Sequence, residues 1–373
     1  AAAAGGFTTV CAMPNTNPVI DSRSVLEAVL EQAAEQAVVN VYVHAAISIG
    51  QEGVQLAELG DLSDAGAIGF TDDGIPLANS KLMRHALEYA KMFDLTVMDH
   101  CQDYSIVTSG VIHEGYWSTS LGLKGWPTSG EDLIVARNIQ LAKLTGTRVH
   151  CQHVSSADSV QLIREAKLRG VPVSGEACPH HFVLTDAAIA GSQRYWGEDG
   201  AGQQPDDAQP DWPVYDTHFK MNPPLRSAQD REAILEGLCD GTLDILASDH
   251  APHAGHEKDV EFDYAPFGIT GLETELALSL MQLYHSGRLG LSELLAKYTV
   301  NPDGLLKLDK GTLNQGADAD VTVFDPDLEW AYNASDDAGK SFNSPFNGWQ
   351  LRGRTTMTIV DGEIVWRQEP VAA

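Results

Sequence analysis

LTVMDHC, residues 95–101, decides the architecture: a short apolar strand, Leu95–Met98, runs directly into Asp99 and His100. The same construction recurs in AIGFTDDG at 67–74, RVHCQH at 148–153, VPVSGEACPHH at 171–181 and LDILASDH at 243–250. Each is a brief β-rich run whose C-terminal end carries Asp, His or Cys. Phe7–Met13 and Val39–Ile47 are two further strand candidates. Between the strands lie stretches with helical spacing. Ser24–Ala37 has apolar residues at 25, 26, 29, 30, 33 and 37, and Leu82–Phe93, Glu131–Thr145, Ser159–Arg169 and Arg231–Cys239 follow suit. A shorter helix is expected near Val54–Leu59.

Strands alternating with helices imply a parallel sheet. Short strands with chemistry-bearing residues at their C-terminal ends mark a (β/α)8 TIM-type barrel, whose active site sits at that face. Seven units can be traced, which fits a barrel lacking its first strand. A doubly wound open sheet would carry a Gly-rich phosphate loop after a strand, and the sequence has no GxGxxG. Residues 1–305 are read as the barrel. After Asn301-Pro302 the pattern turns to short strands at Asp320–Phe324, Thr355–Val360 and Glu363–Trp366, with an Asp361-Gly362 hairpin turn. Residues 306–373 are therefore read as the carboxy-terminal part of a small β-sandwich domain. Gly191–Asp216, rich in Gly, Gln, Asp and Pro, reads as an acidic surface loop.

Composition narrows the function. Of the 373 residues, 43% are hydrophobic, enough for a large core. No run approaches the roughly 20 apolar residues of a membrane helix. A net charge of −28 makes the chain a poor partner for nucleic acid. Lys supplies only 11 of the 24 basic residues, which hints at a salty habitat; a merely acidic surface is the simpler reading. Five cysteines with no CxxC pair argue against a disulfide framework or a zinc knuckle and fit a reducing cytosol. The opening AAAAGGF has no initiator Met and no basic segment, and reads as a helix tail stopped by Gly5-Gly6 in a chain that begins inside a fold.

Asp73, His100, His153 and Asp249 stand at the ends of four strands, which a barrel gathers around one rim. Imidazole with carboxylate suits zinc or a similar divalent ion; any one of the four alone would read as a capping or hydrogen-bonded residue. His150 and His153 are three apart, so in one strand only one of them can face the barrel mouth, and the same holds for Asp72 against Asp73. The HxxHxxH run of His250, His253 and His256 contains Pro252 and Gly255, which disfavour a helix, so a loop with one substrate-binding His is expected.

FTDDG at 70–74, MDHC at 98–101, QHVSS at 152–156, MNPPLR at 221–226 and SDHAPH at 248–253 resemble class I dihydroorotase, of the amidohydrolase superfamily. So do MPNTNP at 13–18, APFGITGLET at 265–274 and the stretch from Gly311 to Pro326. Eight motifs in order, spread over nearly the whole chain, are specific where each alone is weak. The resemblance implies one or two divalent ions, zinc by type, with Asp73 bridging, His100 and His153 on one ion, and Asp249 on the other and acting as general acid and base. It implies substrate contacts from Asn15, Asn222, His253 and the backbone of Phe267 and Gly268. Read without it, Asn15 is a turn former, Asn222 a pre-proline loop residue and Phe267 a core aromatic. The implied reaction interconverts dihydroorotate and N-carbamoyl-aspartate in pyrimidine biosynthesis. A small-molecule substrate, a cytoplasmic home, a homo-oligomer and association with aspartate transcarbamoylase are further expectations.

The family also carries an HxH pair and a following Arg at the end of its first strand. None of the 13 histidines here lies two residues from another, and that pair is expected upstream of Ala1. Allantoinases and dihydropyrimidinases are the nearest alternative, but they typically bridge their metals with a carboxylated Lys, and FTDDG has none. A non-catalytic scaffold for aspartate transcarbamoylase, or an inactive fragment with exposed barrel edges, are the other readings.

Overall fold

The computed structural model describes residues 1–191 and 209–369. The acidic loop expected over 191–216 therefore falls largely at 192–208, outside the described residues.

Nine short strands come first: β1 (Thr9–Ala12), β2 (Asn40–Val43), β3 (Gly69–Phe70), β4 (Thr96–Asp99), β5 (Ile112–His113), β6 (Gly125–Trp126), β7 (Val149–Cys151), β8 (Val173–Ala177) and β9 (Ile245–Leu246). β1 pairs with β2, and β3, β4, β7, β8 and β9 pair in that order, every pair parallel. A parallel bridge from Ala45 to Phe70 carries β2 across to β3. The seven strands thus follow one another as sequential βα units, the order of a TIM-type barrel. The outer edges of β1 and β9 have no strand partner among the described residues.

Helices α1 (Arg23–Gln36), α2 (Leu59–Asp64), α3 (Ser80–Ala90), α4 (Ser129–Thr145), α5 (Ala157–Leu168), α6 (Pro179–Val183) and α7 (Ala228–Cys239) lie between the strands. Their apolar faces, including Leu26, Met83, Leu87, Ile139, Ile163 and Ile234, join one continuous buried core. None of the helices in the described residues is long and apolar enough to cross a membrane.

Three expectations need correction. The helix expected near Val54–Leu59 begins at Leu59. Ile49 N–H donates to the Gln55 carbonyl and Ser48 bridges Leu56, holding 48–56 as a loop. β5 and β6 were not foreseen, since a two-residue strand has no periodicity to read. The third concerns β10 (Val321–Ala331), which extends well beyond Phe324. Pro326 interrupts the pattern, and the structure accommodates it at an irregularity between Asp325 and Glu329.

β10 pairs antiparallel with β11 (Gln350–Val360), and β11 with β12 (Glu363–Arg367). Asp361 and Gly362, both at positive φ (50° and 80°), make the tight turn. This sheet is tied to the amino-terminal helical turn Ala2–Gly5: Thr355 donates to the Gly5 carbonyl at 3.0 Å and Thr358 to that of Ala3 at 2.7 Å. The turn stops at Gly6, where φ is 93° and a Cβ would meet Thr355 Oγ1 at 2.6 Å.

Glu275 is fully buried, and neither carboxylate oxygen has a hydrogen-bond partner. Burial pushes its carboxyl up to about 8, against the opposing pull of the nearby Tyr298 hydroxyl. The unfolded chain releases this proton near the ordinary 4.5, while the folded chain keeps it to about 8. Stability from this group is therefore full below pH 4.5, falls by up to about 1.4 kcal/mol per pH unit as pH rises, and is lost above pH 8. Glu275→Gln should flatten that slope. Denaturant midpoints between pH 5 and 8 measure it, and parallel curves for the two proteins would refute it.

Candidate metal centre at the strand ends

The mouth of the barrel is built by consecutive residues that point in different directions. After β3, Asp72 turns away and accepts hydrogen bonds from Ile47 N (2.8 Å), Ser48 N (3.1 Å) and the Ser48 hydroxyl (2.5 Å). Asp73, the next residue, instead meets Asn15 and His153. After β4, Asp99 points to the helix layer, where Arg137 and Asn138 of α4 each donate to its Oδ2 at 2.7 Å. His100 consequently faces inward.

His150 is fully buried, with its ring nitrogens 2.8 Å from Ser174 and 3.0 Å from Glu176. His153 is buried as well, but it lies beyond the end of β7 with φ at +32°, and it is the one of the two that joins Asp73 and His100. Its backbone N–H donates to Glu176 Oε1 at 3.3 Å. Alternation holds only while the chain remains extended.

Asp73, His100 and His153 converge. His100 Nδ1 lies 2.8 Å from His153 Nε2, which lies 3.8 Å from Asp73 Oδ1. One ligand atom from each residue falls within 4.8 Å of the other two. His100 Nε2 sits 2.5 Å from Gln102 Oε1. A carbonyl oxygen only accepts, so Nε2 carries the proton and the Nδ1 lone pair is aimed into the cluster. An outer hydrogen bond of this kind is how metal-ligating histidines are oriented. Two imidazoles and a carboxylate suit a divalent ion of the zinc type.

The electrostatics point the same way. Burial and the neighbouring His153 push His100 down to about 4. Burial also works against a charged His153, but its pairing with Asp73 and the charges of Asp249, Asp73 and Glu176 outweigh it and raise His153 to about 9. The two imidazoles hold Asp73 below the ordinary carboxylate range in spite of its burial. The cluster is thus a pocket for positive charge.

Asp249 follows β9 with φ at +45°. Burial raises its carboxyl to about 6, with Asp73 and Glu176 adding to the rise and His153 opposing it. It shares the electrostatic environment of the cluster without being one of the three converging ligands.

The residues expected to hold substrate are distributed around the same rim. Asn15 donates from Nδ2 to Asp73 Oδ2 at 3.4 Å. Asn222 has a buried Oδ1 with no hydrogen-bond partner. His253 donates from Nε2 to the Phe267 carbonyl at 2.8 Å. Gly268 has φ at +121°, and a Cβ there would meet that of Ala251 at 2.6 Å. Its N–H donates to the Lys220 carbonyl. In this conformation, then, the Phe267 carbonyl and the Gly268 N–H are both engaged within the protein.

Several supporting residues escaped the sequence reading. Asn343 accepts from His253 N–H and donates to the carbonyls of Ala251 and Gly268, clamping the two loops together. Lys258 reaches the Pro266 carbonyl at 2.8 Å and Lys220 the Phe262 carbonyl at 2.8 Å. Burial lowers both ammonium groups to about 8. Nothing in their spacing marks these residues, because their partners are backbone atoms.

A family model described as dihydro-orotase-like matches residues 1–159. A dihydroorotase from Geobacter sp. (strain M21) is 48% identical over 366 residues, 98% of this chain and 80% of that protein. One from Pelotomaculum thermopropionicum is 48% identical, covering 100% of this chain and 81% of its own length. Among solved structures, the L-hydantoinase (dihydropyrimidinase) from Arthrobacter aurescens superposes with a TM-score of 0.81 at 25% identity, over 100% of this chain and 80% of that one.

A metal ion entering this cluster must displace the proton that Asp73 holds on His153. With His153 raised to about 9, affinity should rise with pH from 6 to 9, by up to tenfold per unit, and about one proton should leave per ion at pH 7. Asp73→Asn should lower affinity and diminish proton release. Calorimetric Zn²⁺ titrations in buffers of different ionisation enthalpy measure both; pH-independent binding would contradict the geometry.

Proposed function

Because the chain belongs to the dihydroorotase family of cyclic-amide hydrolases, we propose that it interconverts dihydroorotate and N-carbamoyl-L-aspartate, with Asp73, His100 and His153 holding zinc and Asp249 moving the proton. The observation that carries this reading is the convergence of those three ligands at the C-terminal ends of parallel strands. Hydantoinase-type relatives share the fold, but the relatives at 43–48% identity are dihydroorotases. Residues 1–305 supply the chemistry and 306–373 brace it.

A bound divalent ion would polarise the ring carbonyl and make water a stronger acid. The remaining work falls to this chain. Asp249 takes a proton from the attacking water and delivers it to the departing ring nitrogen; in cyclisation it runs the same steps backwards. Its raised pKa suits a group that must both accept and return a proton near neutrality. His253, Asn15 and Asn222 orient the substrate: the unpartnered Asn222 oxygen is available to accept from a substrate N–H, and His253 would exchange the Phe267 carbonyl for the substrate carboxylate. Gln102 and Asn343 act by positioning. The reading extends to a homo-oligomer and to aspartate transcarbamoylase as a protein partner, both open to sedimentation analysis.

Asp249→Asn keeps the shape but cannot accept a proton at neutral pH. It should cost about 10²–10⁴-fold in kcat in both directions. His253→Ala should act chiefly on KM. Steady-state kinetics with dihydroorotate and N-carbamoyl-aspartate separate the two, and near-normal turnover in Asp249→Asn with metal still bound would overturn the proton shuttle.

A further inference from the structure

β8 ends in a second group of potential ligands, in the sequence GEACPHH at 175–181. Cys178, His180 and His181 each offer one ligand atom, and the three atoms lie within 4.8 Å of one another. All three are buried, at 0%, 2% and 3% exposure. The two rings lie 4.3 Å apart between centroids.

Hydrogen bonding fixes the state of one ring. His181 Nε2 lies 3.0 Å from the Pro223 carbonyl, which can only accept, so Nε2 bears the proton and Nδ1 the lone pair. That Nδ1 is buried and has no partner. His180 Nε2 is likewise buried and unpartnered. Two orphaned ring nitrogens beside a buried thiol are costly in a folded chain unless something satisfies them. A backbone carbonyl holding the far side of a histidine ring is the usual support of a metal ligand.

We propose that Cys178, His180 and His181 form a separate metal site of thiolate and bis-imidazole type, selective for a soft or borderline divalent cation such as Zn²⁺ or Cd²⁺. Sulfur and imidazole donors without a carboxylate disfavour Mg²⁺ and Ca²⁺. Binding exchanges the Cys178 S–H bond for a sulfur–metal bond, and the proton leaves to solvent; the two histidines coordinate as neutral rings. An ion held here would fix His181, and through Pro223 the adjoining Asn222. The site does not depend on the reaction proposed above, because the first cluster contains no sulfur.

That difference supplies the test. Cd²⁺ titrated into the full chain should develop thiolate-to-metal charge-transfer absorption in the near ultraviolet, saturating at one thiolate per chain. Cys178→Ser should abolish the band and Asp73→Asn should leave it. His180→Gln retains every thiol and should weaken Cd²⁺ affinity at least tenfold, with circular dichroism confirming that the variants fold. No band in the unmodified chain, a band surviving Cys178→Ser, loss of the band in Asp73→Asn, or unchanged affinity in His180→Gln would each overturn the proposal.

Discussion

At the ends of β3, β4 and β7, one residue anchors the chain so that the next can face the barrel mouth. Asp72 ties the β3 end to the backbone of Ile47 and Ser48, and Asp73 is thereby turned inward. Asp99 ties the β4 end to Arg137 and Asn138, and His100 follows. Gln152 accepts from the Thr71 hydroxyl at 2.9 Å, linking the ends of β7 and β3, and His153 follows. The three candidate ligands are neighbours because three anchors precede them. Asp99 shows what this costs: burial pushes its carboxyl up, and Arg137 and Asn138 are needed to hold the charge. Anchors of this kind set ligand distances more rigidly than a loop could.

Electrostatics then decides what the mouth can accept. Asp73, Glu176 and Asp249 bring three carboxyl groups into mutual range, and one of them, Asp249, is pushed towards neutrality by burial, with the other two adding to the rise. The arrangement attracts cations, and His153 is held positive as a result. Dihydroorotate and N-carbamoyl-aspartate are anions, and the chain as a whole carries −28. Long-range steering therefore works against substrate capture. Affinity must come from short contacts at the rim and from positive charge held inside the cluster, which ties substrate recognition to cation binding. Screening by salt would ease the long-range repulsion and leave buried contacts largely untouched.

How much of this was legible in the sequence follows from the range of the forces involved. Strand ends with Asp and His are local features, and Asp72 and Asp73 take different partners. Of His150 and His153 only the latter joins the cluster, and it does so from beyond the strand at positive φ, which alternation cannot register. Cys178, His180 and His181 were visible as a string, yet their convergence depends on the turn into α6, and the His181 tautomer on a carbonyl 42 residues away. The helix at Leu59–Asp64 was misplaced because Asp72 holds Ser48 from outside the preceding loop, and the Ser48 hydroxyl accepts from Gly53 N–H within it.

Asn343 carries the longest-range lesson. It lies beyond the boundary drawn at 305/306, in a segment with no chemistry of its own. Its side-chain oxygen accepts from His253 N–H at 3.1 Å, and its nitrogen reaches the Ala251 and Gly268 carbonyls at 3.1 and 3.2 Å. Its own carbonyl receives Thr270 N–H. Four bonds from one residue hold both sides of the loop pair that carries His253 and Phe267. A buried amide satisfied in this way is costly to replace, since every partner it loses is a backbone group that water cannot easily reach. The small sheet is therefore joined to the rim through the geometry of its loops as well as through the shared apolar core of Tyr332, Phe346 and Trp349. The precision of the substrate-facing side of the barrel depends on a residue contributed from outside it.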